Sequence, residues 1–204
     1  MKNNLARIFR AKYGQVLASL MYFSRDLQLA EDALQDAFEQ ANQKWPVNGI
    51  PDNPGAWLHL VAKRKLIDKL RQLNSQKDQH KLQLIEQSLY SDKNETSETD
   101  YEVPDERLRL VFTCCHPALN EAAQVALTLR TLCGLGVREI ARAYLTSEVA
   151  IGQRITRAKK KIRDAGISYE VPTKEHLQDR LPSVLKVLYL IYNEFMFQVR
   201  HYSF

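Results

Sequence analysis

Glycine is scarce in this chain, at seven of 204 residues, and apolar and polar positions nowhere alternate over a sustained run. A large β-sheet would need both the turns and the period-two faces, so it is excluded. Cysteine is limited to Cys114, Cys115 and Cys133, an odd number that fits a reduced compartment better than a disulfide framework. No apolar run reaches the length of a membrane span. Met1–Asn4 leads straight into an amphipathic pattern instead of a signal peptide, so a cytoplasmic location is expected. The five histidines are scattered, no glycine-rich phosphate loop is present, and no carboxylate pair sits beside a base. No catalytic set assembles from these residues, so the chain reads as a non-enzyme that needs no cofactor.

What the chain has is Ala, Leu, Glu, Lys, Arg and Gln, which favour helix, and an apolar fraction of 45%, enough for one or two small cores. An all-α fold follows. Charge divides the chain further. Residues 1–71 hold 11 Lys/Arg against 7 Asp/Glu, and residues 72–106 hold 3 against 9. Residues 107–168 return to 11 against 4, and 169–204 hold 4 of each. Two basic modules joined by an acidic connector point to a polyanionic partner. The expected organisation is a helical domain over 1–73, an acidic flexible linker over 74–106, a second helical domain over 107–168, and a C-terminal helix within 169–204.

The most concentrated positive charge lies between Gly134 and Asp164. Ile151, Ile155, Ala158 and Ile162 recur at steps of four, three and four, which puts them on one helical face. Val149, Gln153, Arg157, Lys160 and Lys161 fall largely opposite, with Arg154 at the flank. A helix with an aliphatic seam and an Arg/Lys/Gln face suits a DNA major groove, where Arg reads guanine, Gln reads adenine and Lys neutralises phosphate. Taken alone, such a helix is more often an amphipathic helix with a solvated basic face. The preceding helix, Val137 to Ala143, and the short YLTS link favour a helix-turn-helix, with Thr146 or Ser147 as the N-cap.

In the first module Leu5, Ile8, Phe9, Val16, Leu17 and Leu20 form one helical stripe. Asp26 is placed to cap a second helix with a buried face of Ala30, Ala33, Leu34, Ala37, Phe38 and Ala41, leaving Glu31, Asp32, Gln35, Asp36 and Glu39 outside. Trp45-Pro46 and the segment 48–54 should break the chain into a loop. A third helix then opens at Pro54, with Trp57, Leu58, Val61, Leu66, Ile67 and Leu70 as core and Lys63, Arg64, Lys65, Lys69 and Arg71 as a basic face. Trp57 beside clustered cations suits melted nucleic acid, where unstacked bases need π surfaces, though its spacing fits simple core as well.

Residues 72–106 begin as a helix continuation and turn into a polar, acidic linker. Beyond it, Glu121–Leu132 reads as a helix with Ala122, Val125, Ala126 and Leu129 inward. The adjacent Cys114-Cys115-His116 lack the separation that puts two thiolates on one tetrahedral ion, so packed thiols are expected and no metal. Near the end, Leu181, Val184, Leu185, Val187, Leu188, Leu190 and Ile191 are apolar nearly all round. This helix should pack back onto the second module, dimerise or be unstable, and FMFQVRHYSF does not continue its pattern.

Together, EDALQDAF (31–38), PGAWLHLVAKRKLIDKLR (54–71) and GVREIARAYLTSEVAIGQRITRAKKKIR (136–163), in that order, resemble bacterial RNA polymerase sigma factors of the extracytoplasmic-function type. The likeness covers roughly residues 5 to 168. DERLRLVFTCCHPAL and KIRDAGISYEVP look like the subgroup with a C-terminal helical extension, truncated or frameshifted here. The resemblance implies that 1–73 is sigma region 2 and 107–168 is sigma region 4. It implies docking on the clamp coiled coil of the largest core-polymerase subunit through Asp32, Gln35, Asp36 and Glu39. It places Trp57, Lys63, Arg64, Asp68 and Arg71 at the minus-ten element, and Ser147, Glu148, Gln153, Arg154, Arg157, Lys160 and Lys161 at the minus-thirty-five element. The flap of the second subunit and an anti-sigma factor are further implied partners, with no membrane involved, and the acidic linker would thread toward the RNA exit channel.

Two residues depart from the family pattern. Arg64 stands where most relatives have Asn, which bears on base preference at the promoter. Leu145 stands where many helix-turn-helix turns have Gly; a positive φ there costs about 1 kcal/mol or more, or the turn differs. Two other classes fit parts of the chain. A stand-alone helix-turn-helix repressor or activator would use the basic helix but needs neither the Trp/Arg/Lys helix nor the acidic face. An interaction adaptor would leave both basic faces without a use.

Overall fold

The computed structural model describes residues 2–73, 83, 85, 87 and 104–201, with side chains left out at 2–4, 73, 104–105 and 194–201. Most of the expected acidic linker therefore lies outside the described residues. Its last three residues, 104–106, are the first turn of a helix. Among the described residues all regular structure is α-helical. The chain divides into two compact units, Met1–Glu106 and Arg107–Phe204.

The first unit packs three helices against one another: α1 (Lys2–Ser24), α2 (Leu27–Asn48) and α3 (Pro54–Leu73). Alanines at 30, 33, 37 and 41 line the buried face of α2, which lets its neighbours approach closely around Leu17, Leu20, Leu34, Leu58, Leu66 and Leu70. Asp26 caps α2 as expected, its Oδ1 accepting from the Gln28 and Leu29 amides at 2.9 and 3.1 Å. Ser19 Oγ and His59 Nε2, 2.6 Å apart, join α1 to α3.

Three expectations fail in this unit. The chain does not break at Trp45-Pro46: α2 runs on through Pro46 to Asn48 and ends at Gly49, whose φ of 85° only glycine adopts freely. Trp45 is buried, its ring 5.9 Å from Phe9 and 5.3 Å from Trp57. Burying an indole stabilises by about 4–6 kcal/mol, less about 1–3 kcal/mol for its Nε1–H, which is buried without a partner among the described residues. The remainder offsets the roughly 3 kcal/mol that a proline costs within a helix, and the last turn stays helical. Glu31, expected outside, is 7% exposed. Lys63, expected on the basic face of α3, is 2% exposed, its Nζ 5.3 Å from the centre of the Phe23 ring.

The second unit is built around α5 (Glu121–Thr131). It holds α4 (Pro104–Cys114) from Arg107 onward, α6 (Val137–Ala143), α7 (Glu148–Asp164) and α8 (Lys174–His201), and α5 touches the last three. Helix α5 is buried on almost every side from Ala123 to Leu129. Of the expected inward face, Val125, Ala126 and Leu129 are buried, while Ala122 is exposed and Ala123 lies inward in its place. Asn120 caps α5 through the Ala123 amide. Buried Gln124 donates its amide to the carbonyls of His116 and Leu119 at 3.0 and 3.1 Å, fastening the turn between α4 and α5. Cys114 Sγ lies 3.2 Å from the Thr131 hydroxyl, and Cys115 Sγ lies 3.7 Å from that of Thr128.

Helix α8 packs back on this unit by one side. Val184 and Val187 are buried, Arg180 donates to the Phe112 carbonyl at 2.7 Å, and Lys186 pairs with Glu121. Leu181, Leu185, Leu188, Tyr189 and Tyr192 stay exposed. Contrary to expectation, the helical backbone continues past residue 194 to His201.

Candidate nucleic-acid interface

The aliphatic seam of α7 lies where its periodicity put it: Ile151, Ile155, Ala158 and Ile162 are all buried. Gln153, Arg157, Lys160 and Lys161 are exposed, and Arg154 is half-buried. Burying the seam therefore turns the cations to solvent. Ser147 caps the helix, its Oγ accepting from the Ala150 amide at 3.1 Å. Glu148 is exposed in the first turn, 3.9 Å from Arg138 on α6. Carboxylates are favoured at a helix N-terminus, so this placement suits the helix whatever lies in front of it.

Helix α6 is held by its own sequence. The Glu139 carboxylate reaches back to accept from the Gly136 amide at 2.8 Å. At its other end, Leu145 N donates to Arg142 O and Thr146 N to Ala141 O, a paired closure that needs a left-handed residue at 145. Leu145 has a φ of 48° and is 96% exposed. The end of α7 closes in the same way, Gly166 N to Arg163 O and Ile167 N to Ile162 O, but with Gly166 at the left-handed position.

A recess of about 360 Å³ lies between α7 and the turn leading into α5. Ala118, Asn120 and Ala123 form one side; Ala150 and Ala158 form the other, where Arg154, Arg157 and Lys161 open onto it. The α5 side of this recess had no sequence signal, because only the packing of α5 against α7 brings the two together.

In the first unit, Trp57, Arg64, Asp68 and Arg71 follow one another at steps of seven, four and three, so they share one side of α3. Arg64, Asp68 and Arg71 are exposed, with Arg71 3.9 Å from Asp68. Trp57 is half-buried, edge-on to Trp45 at 66°. Lys63 does not join this stripe. On α2, Gln35 and Glu39 are exposed while Asp32 and Asp36 are half-buried. Gln28 donates to Asp32 at 2.8 Å, and Asp36 pairs with Lys69 of α3 at 3.0 Å. The Asp36–Lys69 ion pair thus ties the acidic ridge to the basic helix.

The Cys114-Cys115-His116 triplet faces elsewhere. Burial pushes the Cys115 thiol up to about 11, opposed by the Thr128 hydroxyl and the Arg180 guanidinium. Burial, then Arg180, holds the His116 imidazole below its ordinary range, and its Nδ1 accepts from the Ala118 amide. Among the described residues no group of three or more His, Cys, Asp and Glu is arranged to hold a metal. No described helix is long and apolar enough to cross a membrane.

Residues 8–76 match the family model of sigma-70 region 2, and residues 109–162 match that of sigma-70, region 4. Both regions occur in order, one in each unit, and the chain belongs to the sigma-70 family of RNA polymerase sigma factors. It is 40% identical over 186 residues to an uncharacterised protein of Rhizobium meliloti, an alignment covering 88% of this chain and 43% of that protein. The chain therefore spans less than half the length of this curated relative. No solved structure matches it.

Proposed function

We propose that the chain binds core RNA polymerase and directs promoter-specific initiation in the cytoplasm, with the polymerase supplying all the chemistry. In this reading Asp32, Gln35, Asp36 and Glu39 dock on the clamp coiled coil of the largest subunit, and the second unit meets the flap of the second subunit. The α3 stripe of Trp57, Arg64, Asp68 and Arg71 captures the melted minus-ten element: the ring offers a base a stacking face, and the guanidinium groups take phosphates. Lys63 is too deeply buried to act there. The outer face of α7 enters the major groove of the minus-thirty-five element, with Gln153 and Arg157 reading base edges and Lys160 neutralising phosphate.

The observation that carries this reading is the pairing of two different surfaces in one family member. One unit joins an acidic ridge to an aromatic and cationic stripe; the other presents a cationic helix-turn-helix. A lone duplex-binding regulator has no use for the first.

Mixing the purified chain with core polymerase at low salt should give a complex on gel filtration, and run-off transcripts should map to specific promoters. Asp36→Arg with Glu39→Arg should abolish the complex. Because Asp36 also pairs with Lys69, a Lys69→Met control is included, and it should retain the complex. Association that survives the double reversal refutes the docking surface.

A further inference from the structure

The recess between α7 and the start of α5 is more than a gap beside the reading face. No carboxylate lines it, while three cations, Arg154, Arg157 and Lys161, open onto it. Among the described residues none of these three side chains is engaged by a carboxylate. Alanines at 118, 123, 150 and 158 line it on both sides, so a longer side chain at these positions would intrude on it. At about 360 Å³ it lies at the small end of ligand sites, about 300–1,000 Å³. That is room for a phosphate ester and too little for a base pair.

We infer that this recess is a phosphate seat, in which Arg154 and Lys161 hold a phosphate ester against the turn before α5 instead of reading base edges. Guanidinium groups bind phosphate oxygens in pairs, and a second wall fixes the ester in place in a way that an open helix face does not. Two sources share this chemistry. One is a backbone phosphate of the duplex in whose groove α7 lies, a source that rests on the function proposed above. There the seat would set how deeply the helix enters, since phosphate contacts position while base contacts specify. The other is the phosphate of a free nucleotide, which would compete with duplex because Arg157 belongs to both the recess and the outer face.

The test uses the full chain, with ¹⁵N-labelled protein for NMR and a fluorescent duplex titrated across a salt series. Arg154→Gln with Lys161→Gln removes the charge, and Ala118→Leu fills the recess while leaving every charge in place; thermal melts confirm that both fold. If the duplex backbone is the source, both variants lower the slope of log affinity against log salt by about one, the loss of one phosphate contact. Inorganic phosphate and ATP then leave the Asn120, Ala123 and Ala150 amides unmoved. If a free nucleotide is the source, ATP shifts those amides saturably, displaces the duplex, and does neither in the variants. Unchanged salt slopes in both variants, together with amides that neither probe moves, overturn the seat. Where the free chain binds no duplex at low salt, the same titration is made with the chain bound to core polymerase. A polymerase complex that binds no duplex sinks the promoter reading instead, and the phosphate and ATP titration alone then decides the recess.

Discussion

Leu145 sits at a position that the same unit fills with glycine where α7 ends, and replacing it should stabilise the fold. Its φ of 48° costs an L-residue about 1–2 kcal/mol, because Cβ crowds the neighbouring carbonyl. At 96% exposure the leucine side chain recovers almost nothing by burial. Leu145→Gly removes the crowding and adds back about 0.4–1 kcal/mol of unfolded-chain entropy. The net gain is about 0.5–1 kcal/mol, which for a unit of this size raises the melting temperature by about 2–8 °C. Leu145→Ala keeps the crowding and should leave the midpoint unchanged. The assay separates the units internally: Trp45 and Trp57, the two tryptophans of the chain, both lie in the first unit, so tryptophan fluorescence serves as the control. The far-UV circular dichroism midpoint of the second unit should move while the fluorescence midpoint stays fixed. A glycine variant that melts lower, or an alanine variant that gains as much as glycine, would refute the strain argument.

Gln124→Leu should destabilise the second unit by about 1–3 kcal/mol, since the Leu119 carbonyl loses its side-chain donor and the His116 carbonyl is left with the Leu119 amide, and a lowered urea midpoint would register this. The folded thiol of Cys115 titrates higher than the unfolded one, at about 11 against 9.0. Its contribution to stability is therefore complete below pH 9 and is lost as the pH rises toward 11. Denaturant midpoints should fall over that window and fall less in Cys115→Ala; equal slopes would show that the thiol is not responsible. Lys63→Met should lower the stability of the first unit by about 0.5–2 kcal/mol through loss of the charge over the Phe23 ring. The salt dependence of DNA binding should stay as it was, and a reduced slope would return Lys63 to the DNA surface.

Local patterns settled a large part of this protein before any packing was known. The seam of α7, the extent of α6 and the cap at Asp26 depend only on residues within a few positions of one another, and each lies where the spacing put it; of the two candidate caps of α7, Thr146 and Ser147, the structure uses Ser147. The left-handed turn at Leu145 was legible as a conflict between its place in the helix-turn-helix and its side chain. Family membership was readable for the same reason, since it rests on the order of local motifs.

What the sequence left open are the choices that neighbours make. A lysine in a basic run looks like any other, and packing that includes Phe23 of α1 over Lys63 turned this one inward. Pro46 signals a break, and the aromatic cluster around Trp45 outweighed it. Along α5, burial on nearly every side erased the period that would have shown which alanine faced in, and gave Gln124 a role that no spacing announces. The recess beside α7 exists because α7 packs against α5 there. Periodicity fixes which residues share a helix face, but which face is buried, and what meets it, is decided by the surfaces packed against it.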